Sequence, residues 1–173
     1  MPESNTQSKH SPLDFNGPIE ICRQVEFAID EDSIRNVVSR ILSDSGFNNG
    51  SISIAIVDDP TIHELNNRYL QHDYETDVLS FVLEFDDQRG WLEGEVIVSS
   101  DTATRISADY GWPPASELLL YIVHGTLHLI GMEDDTPELK QGMQEQETRY
   151  LAEIGLQRPS EHPSQEPSPE DNR

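Results

Sequence analysis

The chain has 173 residues, enough for one domain with its own hydrophobic core and too few for two domains of ordinary size. Its net charge of −22 argues against indiscriminate binding to nucleic acid, and its single cysteine, Cys22, precludes an internal disulfide bond. No apolar run approaches the roughly 18 residues of a membrane span, and the N-terminus lacks the regions of a signal peptide, so we expect a cytoplasmic protein with no membrane partner.

Both ends of the chain are too polar to pack. Residues 1–16 show no apolar periodicity, and residues 157–173 consist mainly of Pro, Ser, Glu, Gln and Asp. Such segments bury too little apolar surface to offset the entropy that is lost on ordering. We therefore predict one domain at residues 17–156, between two disordered tails.

The first part of this domain has the pattern of a strand, a helix and a second strand. Apolar residues alternate over residues 19–27 and then recur at helical spacing over residues 34–42. Asp30 or Asp32 is the expected cap of this helix. Alternation returns over residues 51–57, where both faces are apolar, which is typical of an interior strand.

A second helix and a pair of strands follow. Asp59 as N-cap and Pro60 as the first helical residue mark the start of the helix. Its predicted inner face comprises Ile62, Leu65 and Tyr69. Residues 78–84 and 93–99 are joined by a turn-rich link, so we expect them to pair as neighbouring strands.

Three helices complete the domain. Ser100 or Asp101 is the expected cap of the first, and a Trp-Pro-Pro run at residues 112–114 separates it from a helix that is apolar nearly all round. Thr136 and Pro137 start the last helix. Its predicted inner face comprises Leu139, Met143, Tyr150, Leu151 and Ile154. A helix that is apolar all round is typically buried in the centre of a domain.

This order of elements predicts an α+β (mixed α/β) fold. We expect a small mixed sheet of roughly four strands, packed by about five helices, with the buried helix at the centre. The early strand–helix–strand units favour some parallel pairing.

The central helix contains two histidines, His124 and His128, at a spacing that places both imidazoles on one face. Gly131 follows where the helix is expected to end, since glycine readily takes the positive φ of a sharp turn. Asp134 comes three residues later. Two nitrogens and one oxygen with a fourth position open are the ligand set of a catalytic zinc, whereas a pair of structural histidines is the alternative. Gly125 stands where H-E-x-x-H peptidases have their glutamate base, so a peptidase of that type is the weakest interpretation.

Three segments resemble the YbeY family of proteins. Residues 124–134 resemble the signature H-G-x-L-H-L-x-G-Y-D-H, residues 76–81 are similar to the block T-D-V-L-S-F, and residues 94–98 resemble the strand G-D-I-x-I. The similarity extends from about residue 19 to about residue 155. The resemblance implies a single-strand-specific endoribonuclease of ribosomal RNA maturation and ribosome quality control, with one zinc per chain on His124, His128 and Asp134.

Two positions differ from the pattern of the family. Asp134 stands where the family has its third histidine, and a carboxylate oxygen is an acceptable zinc ligand. Leu70 stands where the family has an arginine, which the resemblance implies is a contact to RNA; Arg68 is then the candidate for a phosphate contact. The general base remains open between Glu133 and Asp135, and a solvated acidic loop is the alternative for both.

The residues and the resemblance together favour a zinc-dependent hydrolase of single-stranded RNA. The resemblance further implies that it acts on the 3′ end of 16S ribosomal RNA, with the small ribosomal subunit and its assembly factors as partners. The alternative is a ribosome-assembly factor in which the metal is mainly structural. Thr76 and Asp77 either cap a turn or shape the site near the metal.

Overall fold

A computed structural model describes residues 14–160 and 162, and it confirms a four-stranded mixed sheet with five helices. The elements are β1 (Ile19–Arg23), α1 (Glu31–Asp44), β2 (Asn49–Val57), α2 (Asp59–Leu70), β3 (Val78–Asp86), β4 (Trp91–Ser99), α3 (Ser100–Tyr110), α4 (Pro114–Leu129) and α5 (Pro137–Glu153). No helix within the described ranges is long and apolar enough to cross a membrane.

The strands are ordered β1-β2-β4-β3. β1 and β4 both run parallel to β2, whereas β3 pairs antiparallel with β4. The parallel pair β1–β2 is connected through α1, and the antiparallel pair β3–β4 is a hairpin closed by Gly90, whose φ is 64°. The predicted parallel pairing is therefore present, and the central strands β2 and β4 carry apolar residues on both faces.

The two faces of the sheet are covered differently. The main core lies on the face that packs against α4, and α1, α3 and α5 surround α4. The opposite face carries α2 and a smaller apolar cluster that includes Val57 and Leu79. Beside α2 an open groove of about 510 Å³ is partly lined by Tyr69, Phe81 and Leu83.

α4 is the buried centre of the domain, since 13 of its 16 residues are buried. Pro114 lies in its first turn, where backbone N–H groups have no partner within the helix, so the N–H that proline lacks costs no hydrogen bond. After Leu129 the chain reverses at Gly131, whose φ of 98° favours glycine. This reversal is the one that the sequence predicted, and it sends the next residues back toward α4.

Gly125 lies where α4 packs tightly against the sheet. A Cβ atom at this position would lie 2.6 Å from Cγ1 of Val96 and 2.9 Å from Cγ2 of Val78. The Ser80 hydroxyl also donates a 2.9 Å hydrogen bond to the Gly125 carbonyl. Glycine is therefore required here by packing, which leaves no room for the glutamate of an H-E-x-x-H peptidase.

We expect Gly125→Ala to destabilise the protein by about 1–3 kcal/mol, because the added methyl group overpacks the contact with Val78 and Val96. Denaturation of the metal-free protein by guanidinium measures this loss. Gly142→Ala on α5 is the matched control, since its Cβ meets no atom within 4 Å. That variant should gain roughly 0.5–1 kcal/mol from helix propensity. Equal stability of Gly125→Ala and the wild type would contradict the packing argument.

β1 is shorter than the predicted strand and ends at Arg23. The Arg23 guanidinium donates to Glu31 at 2.9 Å, to the carbonyl of Ile29 at 2.9 Å and to the carbonyl of Phe27. These bonds fold the chain back toward the start of α1. Val25 and Phe27 therefore lie in a loop, although both still pack against the core.

Three helices have their caps within one or two residues of the predicted positions. Asp30, one of the two candidates, caps α1 through the N–H groups of Asp32 and Ser33. The cap of α2 is Asp58, so the prediction of Asp59 was wrong by one residue. The cap of α3 is Ser99, which precedes both predicted candidates because β4 continues into α3 without a loop.

Two residues assigned to inner helix faces are exposed. Tyr69, in the last turn of α2, is 60% exposed and makes an edge contact with the ring of Phe81. Leu139, in the first turn of α5, is 41% exposed. Both lie in a terminal turn of their helix, beyond the turns that pack on the core.

Packed residues flank the predicted domain of residues 17–156. Phe15 is buried, and the N–H of Asn16 donates to the carbonyl of Asn48 at 2.9 Å. After α5, the side chains of Arg158 and His162 are also buried. The packed unit thus includes residues on both sides of these boundaries, and the remaining parts of the predicted tails, at 1–13, 161 and 163–173, lie outside the described residues.

Candidate metal centre

α4 and the turn after it bring the three predicted ligands together. The Nε2 atoms of His124 and His128 are 2.8 Å apart. The Asp134 carboxylate lies 3.5 Å from Nε2 of His124 and 3.7 Å from Nε2 of His128. One ligand atom from each residue falls within 4.8 Å of the others, so the spacing seen in the sequence corresponds to a real cluster.

The other ring nitrogen of each histidine is held by an acceptor. Nδ1 of His124 lies 2.5 Å from a carboxylate oxygen of Glu147, and Nδ1 of His128 lies 2.9 Å from the carbonyl oxygen of Met132. Because a carboxylate and a carbonyl accept hydrogen bonds, both Nδ1 atoms donate. This arrangement leaves each Nε2 lone pair available, as in carboxylate–histidine–metal sites.

Sequence reasoning missed Glu147, although a signal for it exists. Glu147 on α5 is fully buried. It follows the buried Met143 by four residues and precedes the buried Tyr150 and Leu151 by three and four. A carboxylate on the apolar face of an amphipathic helix needs a buried partner. That position therefore indicates a buried polar partner, although the sequence does not identify it as His124.

The charges around the histidines separate their proton affinities. Burial lowers the pKa of His124, but the hydrogen bond and the charge of Glu147 outweigh it and raise the pKa above its usual value. The charges of Asp77 and Asp134 act in the same direction. For His128, burial and the neighbouring His124 lower the pKa below its usual value. The metal-free site therefore holds a proton on His124 before His128.

Asp77 is a further acidic group of the site. It precedes β3, and burial raises the pKa of its carboxyl to about 6, while the charge of His124 acts to lower it. The hydroxyl of Thr76 donates to the carboxylate at 3.3 Å. Both roles considered for Asp77 have support: its carboxylate accepts from the N–H of Val78, as a turn cap does, and its charge acts on His124.

The donor set fits a zinc ion. Two imidazole nitrogens and one carboxylate oxygen are ligands that zinc accepts, and both imidazoles are already oriented by their Nδ1 partners. Two Nε2 atoms at 2.8 Å also require either a shared proton or a cation between them. The side chains of His128 and Asp134 are 29% and 22% exposed, against 2% for His124, so the cluster is open to solvent on one side.

The other candidate residues lie at the surface. Glu133 and Asp135 are exposed on either side of Asp134. Arg68 is exposed near the end of α2 and forms an ion pair with Glu64, one helical turn earlier. Within residues 14–160 and 162, no contact described for Arg68 reaches a residue of the metal cluster. Leu70 is 44% exposed.

The fold and the site define a small α+β protein with a candidate His-His-Asp metal centre on a buried helix. The family model described as Endoribonuclease YbeY matches residues 20–155. The chain belongs to this family.

Individual relatives agree with the family match. An endoribonuclease YbeY of Rhodopirellula baltica is 42% identical over 116 residues, which are 66% of this chain and 59% of that relative. One of Syntrophotalea carbinolica is 36% identical over 137 residues, covering 76% of this chain and 91% of the relative. A solution structure of a Thermotoga maritima protein shares the fold, with a TM-score of 0.54 and 23% identity over 79% of this chain and 91% of that chain.

Proposed function

We propose that the protein is a zinc-dependent endoribonuclease that cleaves single-stranded RNA. The observation that carries this proposal is the convergence of two oriented imidazoles and one carboxylate on a point that is open to solvent. Membership in the endoribonuclease YbeY family supports RNA as the substrate.

Each residue of the site has a distinct role in this proposal. His124, His128 and Asp134 hold the zinc, and Glu147 and the Met132 carbonyl orient the two imidazoles. A zinc ion bound there supplies a water of lowered pKa and a positive centre for a phosphate oxygen. Glu133 or Asp135 is proposed as the base.

The acidic character of the chain constrains how RNA binds. A net charge of −22 repels a polyanion over distances of about a Debye length. Affinity must then come from contacts at short range, and a metal ion held by His124, His128 and Asp134 would offer one such contact to a phosphate oxygen. Arg68 is proposed as a second phosphate contact, in place of the arginine that Leu70 replaces.

We further propose a cytoplasmic role on the 3′ end of 16S ribosomal RNA, with the small ribosomal subunit and its assembly factors as partners. The single free cysteine, Cys22, is compatible with a reducing compartment.

We expect cleavage of an end-labelled single-stranded RNA to stop when a chelator removes the metal and to resume when zinc is restored. The same RNA annealed into a duplex should be cut far more slowly. A chelator that was saturated with zinc beforehand is the control for non-specific inhibition. Cleavage that persists unchanged after chelation would rule out the metal-dependent mechanism.

A second function is favoured by one observation. Leu70 is an exposed apolar residue where the family has an arginine, which weakens the case for RNA affinity and suits contact with a protein. The protein would then be a ribosome-assembly factor in which the metal mainly stabilises the fold. The two functions differ in their requirement for metal, since removal of the ion abolishes the activity of the enzyme only.

A further inference from the structure

The segment after α5 contributes a buried cation to the surroundings of the metal centre. Nη1 of Arg158 lies 2.8 Å from Oε2 of Glu147. The Arg158 side chain is 7% exposed and that of Glu147 is fully buried. The other oxygen of the same carboxylate accepts from Nδ1 of His124. A continuous chain of contacts therefore connects Arg158, through Glu147, to a metal ligand.

The same segment is anchored at a second point. Nε2 of His162 lies 2.5 Å from Oε2 of Glu117 on α4, and the Trp112 indole donates to that oxygen at 2.7 Å. The His162 ring also packs against Tyr110, with ring centroids 4.3 Å apart. Together with α5 on the other side, these contacts of His162 anchor the chain on both sides of Arg158.

A carboxylate that is removed from water needs partners for both oxygens, because an unpaired buried charge is strongly unfavourable. Glu147 divides its oxygens between a metal ligand and a guanidinium. The pull of Arg158 on one oxygen restricts rotation of the carboxylate and aims the other at Nδ1 of His124. Outer partners of this kind fix the orientation of a ligating imidazole and set the affinity for metal.

We propose that Arg158 is a positioning residue of the metal centre, which holds Glu147 so that His124 presents Nε2 to the ion. This inference rests on the proposed zinc site and extends it to a residue outside α4 and α5. A purely structural ion pair is the alternative. The two differ in one measurable quantity, because a structural pair changes the stability of the fold and leaves the zinc affinity of the folded protein unchanged.

The test is a zinc competition titration on folded, full-length protein with a chromogenic chelator. Arg158→Gln and Arg158→Met both remove the charge, and methionine retains the apolar stem, so that packing is preserved in one of them. We expect the dissociation constant for zinc to rise about tenfold in both. Arg158→Lys, which keeps a cation, should recover part of the affinity. Arg149→Gln, which removes a half-exposed arginine on α5, should bind zinc as the wild type does.

Circular dichroism of the metal-free variants separates folding from binding. Zinc-induced stabilisation depends on the ratio of free zinc to its dissociation constant, so it reports affinity even in a variant of lower basal stability. Zinc affinity within twofold of the wild type in the two neutral variants would overturn the role of Arg158. Wild-type protein that binds no zinc at all would instead overturn the proposed metal site itself.

Discussion

Replacement of His128 by alanine is expected to reduce the zinc content of the purified protein from about one ion per chain to none, and to abolish cleavage of single-stranded RNA. The variant loses one of three ligand atoms that lie within 4.8 Å of one another. Loss of a ligand should exceed the roughly 10–100-fold loss of affinity that follows removal of an outer partner. Elemental analysis and a chelator competition measure the effect. His63→Ala, which removes a surface histidine paired with Asp73, is the control and should keep its zinc.

Asp134→Ala tests the identity of the third ligand. We expect it to lose zinc as His128→Ala does, because its carboxylate is the acidic group that approaches both Nε2 atoms. Glu133→Gln and Asp135→Asn should retain zinc, since both residues are exposed beside the site. Zinc retained in Asp134→Ala would transfer the ligand role to one of these neighbours.

The RNA assay on these variants separates the two proposed functions. Loss of both zinc and cleavage, with the protein still folded, supports the enzyme. If His128→Ala loses zinc and still binds the small ribosomal subunit as the wild type does, while the wild type cleaves no RNA, the assembly-factor function is favoured.

The central helix and the cluster of its candidate ligands are predictable from the sequence because their determinants are local. His124 and His128 are one helical turn apart, and Gly131 supplies the reversal that returns Asp134 to them. The apolar character of α4 on all sides predicts its burial. All of these signals lie between Pro114 and Asp134, a stretch that one helix and one turn satisfy alone.

The partners that orient the ligands are harder to predict, because tertiary packing supplies them. Glu147 is 23 residues from His124 along the chain, and its contact depends on how α5 crosses α4. Arg158 lies in a segment that composition assigns to a polar tail, whereas in the fold its guanidinium is buried against Glu147. The average polarity of a segment does not reveal that one of its charged side chains has a buried acid as its partner.

The errors at helix caps have a different origin. Asp58 and Asp59 are both acceptable N-caps, and so are Ser99 and Ser100, so local propensity does not decide between neighbours. In α2 the choice is made by tertiary contacts: the Asp59 carboxylate accepts from the hydroxyls of Ser99 and Thr102 and is thus already engaged. Asp58 is left to accept from the N–H of Thr61 at 3.0 Å.

Asp77→Asn is expected to stabilise the metal-free protein at pH 7.5 and to weaken its binding of zinc. Burial raises the pKa of Asp77 from 3.8 to about 6, so the folded protein binds this proton more tightly than the unfolded chain. The stabilising contribution is therefore complete below about pH 4 and is lost as the pH rises through about 6. Ionisation of Asp77 lowers the free energy of unfolding by about 3 kcal/mol at most. An asparagine carries no charge at this pH, so the variant does not lose this stability.

Urea denaturation of the metal-free wild type and variant at a series of pH values measures the effect as a difference. The two proteins should have similar stability near pH 4, and the variant should become the more stable one between pH 4 and 7. Asp109→Asn, an exposed carboxylate on α3, should show no such divergence. Parallel stability curves for Asp77→Asn and the wild type would mean that the Asp77 carboxylate is not desolvated.

The zinc titration of the same variant decides why a destabilising charge is kept at this position. The Asp77 carboxylate lies close enough to His124 for the two charges to interact, so it adds negative potential beside a proposed metal ligand. We expect several-fold weaker zinc binding in Asp77→Asn, since that potential favours a divalent cation. A variant that is more stable without metal and weaker with it would show that the burial of Asp77 serves the metal centre and not the stability of the fold.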